Sequence, residues 1–126
     1  MRPVVVVVED QADIRKLVRM TLSISDAEVY EADSGESGLR MVSELRPPVV
    51  LMDIMMPGEI DGLEACRRIK KDPKLAGTQV VMLTARGQEA DLAAGKAAGA
   101  DAYLVKPFSP LQLLDTVAEL GKLAAA

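Results

Sequence analysis

Three carboxylates stand directly after short apolar segments of the sequence. Glu9 and Asp10 follow an unbroken run of valines, and Asp53 follows Val-Val-Leu-Met. An ionised carboxylate that ends a buried segment is costly without a partner, which disfavours a purely structural role for Asp53. Clustered carboxylates repel one another unless a cation lies among them, and oxygen ligands without His or thiolate favour Mg²⁺ over Zn²⁺. The residue types therefore indicate a magnesium site, if the fold brings the three together.

A hydroxyl and a cation hold similar places later in the chain. Thr84 follows an apolar segment, and Lys106 follows another and precedes Pro107. Beside a metal ion, a hydroxyl and an ammonium suit a phosphoryl group in transit, because its transfer depends mainly on positioning and charge neutralisation. A carboxylate can itself be the nucleophile and form an aspartyl phosphate. Taken alone, Thr84 fits a helix N-cap equally well, and Lys106 could simply extend from a sheet edge into solvent.

Five apolar or β-branched segments alternate with segments of helical spacing. The predicted strands are residues 3–8, 28–32, 49–52, 79–83 and 102–105. This alternation is typical of a parallel sheet with helices on both faces, and nearly continuous apolar strands are expected where both faces are buried. In the flavodoxin-like strand order 2-1-3-4-5, the first and third strands are neighbours and ligands bind beyond their carboxyl ends. The predicted fold is a doubly wound, three-layer α/β/α domain that brings the carboxylates together.

The helices are predicted from apolar spacing and from residues that can cap them. The predicted core faces are Ile14, Leu17, Val18 and Thr21; Leu39, Val42 and Leu45; Leu63, Cys66 and Ile69; and Leu113, Leu114, Val117 and Leu120. Ser34, Asp61 and Ser109 stand where N-caps are expected, and Asp72-Pro73 should end the third helix. The fourth helix, residues 88–98, is rich in alanine. It suits a mobile element, but close helix–sheet packing explains it equally well.

Composition limits the class of protein. A chain of 126 residues, 49% of them hydrophobic, is long enough for one domain with its own core, predicted to span residues 1–126. A net charge of −4 and three aromatic residues argue against direct nucleic-acid binding. The absence of His and the single Cys exclude a histidine base, a Cys-cluster metal site and an internal disulfide. No apolar run is long enough for membrane insertion or a signal sequence, so a cytoplasmic location is expected.

The residues at the predicted strand ends form a series of motifs. The motifs are Glu9-Asp10, Leu51-Met52-Asp53-Ile54-Met55-Met56-Pro57, Asp61-Gly62, Leu83-Thr84-Ala85 and Lys106-Pro107-Phe108. Together they span nearly the whole chain, which resembles the receiver domain of response regulators, as in the single-domain chemotaxis regulator. One departure is that the segment between Asp53 and Gly62 is one residue longer than usual for that family, which leaves open the shape of the rim of the site.

The resemblance implies a phosphoacceptor that works with Mg²⁺. Asp53 would take a phosphoryl group from a phosphohistidine of a sensor histidine kinase or of a phosphotransfer protein. Glu9, Asp10, Asp53 and the main-chain carbonyl of Met55 would hold Mg²⁺. Such a domain catalyses its own phosphorylation and dephosphorylation and is otherwise not an enzyme. The resemblance also places kinase docking on the first helix, around Arg15 and its neighbour Ile14.

Further residues receive roles from the resemblance alone. Thr84, Ala85 and Lys106 would bind the phosphoryl group, and the Lys106–Pro107 peptide bond is expected to be cis. Thr84 and Tyr103 would act as the switch: Thr84 would move to the phosphoryl group while Tyr103 turns inward. The added charge would bias a two-state equilibrium of the surface formed by the fourth helix, fifth strand and fifth helix.

Other functions on this fold remain as alternatives. The runner-up is a pseudo-receiver that is never phosphorylated and acts as a protein-interaction module. A flavin carrier would need aromatic loop residues, a dinucleotide enzyme a G-x-G-x-x-G motif after the first strand, and a haloacid-dehalogenase-like phosphatase an acid at Met55; all three are disfavoured. The sequence does not identify the kinase, the downstream protein target, a phosphorylation-dependent dimer, or whether the chain acts alone or is cut from a longer protein.

Overall fold

A computed structural model of the chain describes residues 3–56, 58–85 and 89–125. Its strands are β1 (Val4–Val8), β2 (Glu28–Ala32), β3 (Val49–Asp53), β4 (Gln79–Ala85) and β5 (Ala102–Lys106). Its helices are α1 (Ala12–Leu22), α2 (Gly35–Leu45), α3 (Gly62–Lys71), α4 (Glu89–Ala97) and α5 (Pro110–Ala125), with short 3₁₀ turns at Ser23–Ser25 and Pro73–Leu75. No helix in these ranges has both the length and the apolar character needed to cross a membrane.

The five strands form one parallel sheet in the order β2-β1-β3-β4-β5. This order confirms the predicted flavodoxin-like topology. In the register, Val8 lies opposite Met52, and Asp53 lies opposite Leu83. The carboxyl ends of β1, β3 and β4 therefore meet at one edge of the sheet, where the chain continues into the loops that carry the polar residues.

Alternate residues of the central strands face two separate cores, which makes the domain three-layered. Val6, Val50 and their neighbours on one face of the sheet pack against α2 and α3. Val5, Leu51 and their neighbours on the other face pack against α1 and α5. Side chains alternate between the faces of a strand, so strands covered on both sides must be apolar throughout. The valine run of β1 meets this requirement.

The predicted helix caps are present. The Ser34 hydroxyl accepts a hydrogen bond from the amide of Ser37 at 3.1 Å, and the Asp61 carboxylate accepts one from the amide of Glu64 at 2.9 Å. Ser109 accepts from the amide of Gln112 at 3.1 Å, while the Gln112 side chain accepts from the amide of Ser109 at 3.0 Å. This reciprocal pair is a capping box, which satisfies two amides at the start of α5.

Two predicted core faces were wrong in detail. Leu17 is 47% exposed and Leu45 is 39% exposed, although both were placed on buried faces. In α1 the predicted residues Val18 and Thr21 are buried, and Leu22, which was not predicted, is buried with them. The pair Val18 and Leu22, four residues apart, sits over the sheet, which turns Leu17 toward solvent. Apolar spacing alone could not show that Val18 is buried and Leu17 is exposed, because the two are adjacent and both apolar.

The strands also extend further than predicted. β3 includes Asp53, β4 runs through Thr84 to Ala85, and β5 includes Lys106. Thr84 is therefore a strand residue and not a helix N-cap. Residue 88, predicted to begin the fourth helix, lies outside the described residues, within which α4 begins at Glu89.

Candidate functional site

Three carboxylates meet where β1 and β3 end side by side. Carboxylate oxygens of Glu9, Asp10 and Asp53 all lie within 4.8 Å of one another. Glu9 and Asp53 are buried, whereas Asp10 is exposed. The register of β1 and β3 causes this convergence, because Glu9 and Asp53 each come directly after a residue of the Val8–Met52 pair.

Lys106 brings a positive charge into this acidic cluster. Its Nζ lies 2.6 Å from Oε1 of Glu9 and 3.3 Å from Oδ1 of Asp53. Glu9 is fully buried, so the ammonium offsets the cost of removing a carboxylate from water. The second carboxylate oxygen of Glu9 accepts a hydrogen bond from the amide of Gln11 at 3.3 Å, and the amide of Glu9 donates to the carbonyl of Ala32 at 3.0 Å.

The pKa values within the cluster reflect the crowding of charge. Burial, reinforced by the nearby Asp53, raises the pKa of Glu9 to about 8, although Lys106 opposes the shift. The hydrogen bond with Glu9 lowers the pKa of Asp10. Burial opposes a charged Lys106, but its contacts with Glu9 and Asp53 are stronger and raise its pKa. A divalent cation among these oxygens would compete with the proton on Glu9.

The segment after β3 is held close to the carboxylates. The amide of Met55 donates a hydrogen bond to Oδ1 of Asp53 at 3.2 Å, and the Met55 side chain is 68% exposed. Gly62, the first residue of α3, lies so near that a Cβ there would be 2.0 Å from the carbonyl oxygen of Asp53. Glycine at this position lets the helix start directly against the site. The motif Asp61-Gly62 is visible in the sequence, but the close approach that requires its glycine is not.

The longer loop rests on the first turn of α2. The amide of Ile60 donates to Oε1 of Glu36 at 3.0 Å, and Gly58 has φ of 114°, a backbone conformation that favours glycine. Residue 57 lies outside the described residues. Glu36 was not among the residues singled out from the sequence, because an acidic residue in a first helical turn is common without any loop contact.

Thr84 and Tyr103 share an unusual feature. Both hydroxyls are buried, and neither has a hydrogen-bond partner in the described part of the chain. Thr84 lies on β4 one residue beyond Leu83, the partner of Asp53, which places it at the same edge of the sheet. A buried hydroxyl without a partner is costly, so each can gain a bond if a polar group arrives or if the side chain moves. Ala85, the next residue, is exposed at the end of β4.

The end of β5 completes the site. Lys106 pairs with Ala85 in the sheet register, and the Lys106–Pro107 peptide bond is cis. The structure thus brings Glu9, Asp10 and Asp53 together and places Lys106 in contact with Glu9 and Asp53. Thr84 and Ala85 lie at the neighbouring strand end. Tyr103 lies three residues before Lys106 and packs against the core on the α2–α3 side of the sheet.

Fold and site together define a class: a doubly wound α/β domain with an acidic pocket and one lysine beyond β1 and β3. The family model for the response regulator receiver domain matches residues 5–118. The chain therefore belongs to the response regulator receiver domain family, which serves signalling in two-component systems.

Curated relatives cover nearly all of this chain but are longer. The transcriptional regulatory protein ResD of Bacillus subtilis is 40% identical over 121 residues, which are 96% of this chain and 49% of ResD. The phosphate regulon regulator PhoB of Escherichia coli is 38% identical over 110 residues, 87% of this chain and 48% of PhoB. The chain thus spans about half the length of these relatives.

Solved structures give the same result for the fold. A response regulator from Chloroflexus aurantiacus superposes with a TM-score of 0.92 at 31% identity, covering 97% of this chain and 99% of that one. The chemotaxis protein CheY4 of Vibrio cholerae superposes with a TM-score of 0.87 at 32% identity, covering 95% of this chain and 99% of that one. Close agreement over whole chains supports the assignment of the sheet order.

Proposed function

We propose that this chain is a Mg²⁺-dependent phosphoacceptor whose phosphorylation at Asp53 controls a protein partner. The observation that carries the proposal is the meeting of Glu9, Asp10 and Asp53 with Lys106 at one sheet edge. Family membership supports the same reading, because receiver domains take phosphoryl groups from histidine kinases or phosphotransfer proteins. Such partners are proposed for this chain, along with a downstream protein target.

The donor set fits Mg²⁺. Glu9, Asp10 and Asp53 offer carboxylate oxygens, and the main-chain carbonyl of Met55 is proposed as a further ligand. Mg²⁺ favours oxygen ligands and usually keeps several waters, which the exposure of Asp10 permits. When bound, the cation would neutralise charge on the phosphoryl oxygens and on the carboxylates around them.

The proposed transfer is a single displacement at phosphorus. A carboxylate oxygen of Asp53 attacks the phosphorus of a phosphohistidine; the new O–P bond forms as the P–N bond breaks, and the electron pair returns to the imidazole nitrogen. The amide of Met55 and Lys106 both contact Oδ1 of Asp53 and so orient the carboxylate. After the transfer, the Lys106 ammonium can contact the phosphoryl oxygens, which then carry the negative charge. In dephosphorylation, the oxygen of water bonds to phosphorus as the bond to Asp53 breaks; Asp53 leaves as the free carboxylate, and the protons of the water stay on the inorganic phosphate.

The proposed switch uses the hydroxyls of Thr84 and Tyr103, which lack hydrogen-bond partners among the described residues. A phosphoryl group on Asp53 adds strong acceptors beside β4, which the Thr84 hydroxyl and the main chain at Ala85 could bind. The Tyr103 hydroxyl is already buried before any phosphoryl group is present, so the expected inward turn would be a rearrangement of the ring that gives its hydroxyl a partner as Thr84 moves. Tyr103 and Lys106 lie on β5, within the surface formed by α4, β5 and α5. A change at these residues would alter how this surface binds a protein partner, or a second copy of the chain in a phosphorylation-dependent dimer.

The test is intact-protein mass spectrometry after incubation with acetyl phosphate and Mg²⁺. We expect wild type to gain the mass of one phosphoryl group, and Asp53→Asn to gain none, because it keeps the shape but lacks the nucleophilic carboxylate. A sample with the metal chelated serves as the second control. An adduct on Asp53→Asn, or an equal adduct without metal, would contradict the proposal.

Absence of an adduct needs one further measurement, because a short-lived phosphate escapes detection. Beryllofluoride with Mg²⁺ mimics the phosphoryl group, and its binding is measured by calorimetric titration of wild type and Asp53→Asn. If wild type forms no adduct and binds no beryllofluoride, the phosphoacceptor function is wrong and the pseudo-receiver remains.

A further inference from the structure

Arg15 on α1 contacts the main chain of the acidic cluster. Its Nη1 donates a hydrogen bond to the carbonyl oxygen of Glu9 at 2.6 Å. Its Nε donates to Oε1 of Glu31 on β2 at 3.3 Å. The Arg15 side chain is only 19% exposed, so it lies in the gap between the end of β1 and the neighbouring strand. One guanidinium therefore joins α1, β1 and β2 at the rim of the site.

Arg19, a second arginine on α1, makes only one of these two contacts. Nη1 of Arg19, one turn further along α1, lies 2.6 Å from Oε2 of Glu31. The Arg19 side chain is 53% exposed, and no contact between it and Glu9 is found among the described residues. Arg15 and Arg19 thus share the same carboxylate partner and differ in the contact to Glu9.

The carbonyl that Arg15 holds belongs to the peptide that leads into Asp10. A peptide unit is planar, so fixing the oxygen of Glu9 also fixes the direction of the bond to the amide of Asp10. Asp10 is exposed and lies in the loop between β1 and α1. The carboxylates of Glu9 and Asp10 must both point at the same ion, and the peptide between them sets their relative orientation.

We infer that Arg15 is a positioning residue for the cation site, which holds the Glu9–Asp10 peptide so that both carboxylates face a bound Mg²⁺. The inference rests on the proposed function, since it concerns the same site. Groups that orient metal ligands from outside typically change metal affinity by ~10- to 100-fold when they are removed. Arg15 touches the ligands through their main chain, so it binds neither the ion nor the phosphoryl group.

Charge alone predicts the opposite effect. Removing a cation near an acidic site makes the site more negative, so simple electrostatics would tighten Mg²⁺ binding in Arg15→Met. Loss of positioning would weaken it. The sign of the change in affinity therefore separates the two effects, and Arg19→Met removes the same charge and the same partner without touching Glu9.

The experiment is calorimetric titration of the full chain with Mg²⁺ for wild type, Arg15→Met and Arg19→Met. We expect the Kd of Arg15→Met to rise about 10-fold, and that of Arg19→Met to stay at the wild-type value or fall. Arg15→Lys keeps the charge but offers a single ammonium in place of the fork, so its Kd should lie between those of wild type and Arg15→Met.

Urea unfolding in a metal chelator accompanies the titration and verifies that each variant is folded. If Arg15→Met does not fold, the comparison of Arg15→Lys with wild type and Arg19→Met takes its place. Equal affinities for the two methionine variants, or tighter binding by Arg15→Met, would overturn the inference while leaving the phosphoacceptor intact. Failure of wild type to bind Mg²⁺ would instead overturn the proposed function itself.

Discussion

At the scale of single residues, Glu9 is the group whose protonation would limit the proposed binding of Mg²⁺. Its burial raises its pKa to about 8, and a cation must displace the proton that Glu9 retains below that value. We expect Mg²⁺ affinity to rise with pH up to about 8 and then level off, by no more than ~10-fold per pH unit if one proton leaves per ion bound. Titration calorimetry over this range measures the change.

Glu9→Gln is the control for that pH dependence. Its side chain keeps the length of Glu9 but cannot titrate, so its weaker Mg²⁺ binding should vary little across the same range. An affinity of wild type that is flat below the pKa of Glu9 would show that another group governs binding.

The site residues that could be predicted from the sequence are those that stand at the ends of apolar strands. Glu9, Asp53 and Lys106 each stand where an apolar segment stops, and parallel topology then places them at one edge. Arg15 and Glu36 could not be assigned contacts in this way. Both are polar helix residues of ordinary spacing, and only the positions of α1 and α2 against the sheet decide what their side chains reach.

At the scale of elements, the close packing of α2 against β1 depends on Gly38. A Cβ at Gly38 would lie 2.7 Å from Cγ2 of Val8, which is fully buried and stiff at its branched Cβ. We expect Gly38→Ala to lower the free energy of unfolding by ~1–3 kcal/mol because the helix must move outward. Val8 directly precedes Glu9, so Mg²⁺ affinity should fall as well. Urea unfolding and calorimetry measure the two effects.

Gly121 in α5 provides the matched control. Among the described residues, no heavy atom lies within 4 Å of a Cβ built there, so Gly121→Ala adds a methyl group without a clash. Alanine is the better helix former by ~1 kcal/mol, and this variant should gain stability. Gains of similar size in both variants would mean that α2 tolerates the methyl group and that the close approach to Val8 does not restrict it.

The types of the helices and strands were predicted better than the orientation of the helices against the sheet. The alternating apolar segments predicted five strands and their order along the chain. The three capping residues predicted the starts of α2, α3 and α5. The predicted face of α1 was right at Val18 but wrong at Leu17, because the two offer equivalent apolar surface to a spacing argument. Which of them meets the sheet depends on where the loop from β1 places the helix, and that is a matter of tertiary packing.

At the scale of the whole molecule, the acidic cluster makes stability depend on pH. A carboxyl whose pKa is raised on folding stabilises the protein below its unfolded pKa, and this contribution is lost as pH rises through the folded value. For Glu9 the loss runs from about 4.5 to about 8. The lowered pKa of Asp10 acts at more acid pH and with the opposite sign.

We therefore expect the metal-free protein to lose stability as pH rises toward 8, and Glu9→Gln to lose much less. Urea unfolding with the metal chelated measures the trend. Saturating Mg²⁺ should restore stability at the upper end of the range, because it binds the folded state alone. A wild-type curve parallel to that of Glu9→Gln would contradict the account.

The ion pair between Lys106 and Glu9 joins residues 97 positions apart in the chain. The two strand ends that carry them are separated in the sheet by β3 and β4, so the pair closes only after the last strand has docked. Contacts between such distant segments are costly to form early, since a long stretch of chain must be ordered first. A chain that has not yet added β5 would leave Glu9 without its counter-charge. Under the proposed function, the site that receives the phosphoryl group would therefore be completed late in folding, and a domain without its last strand could not be phosphorylated normally.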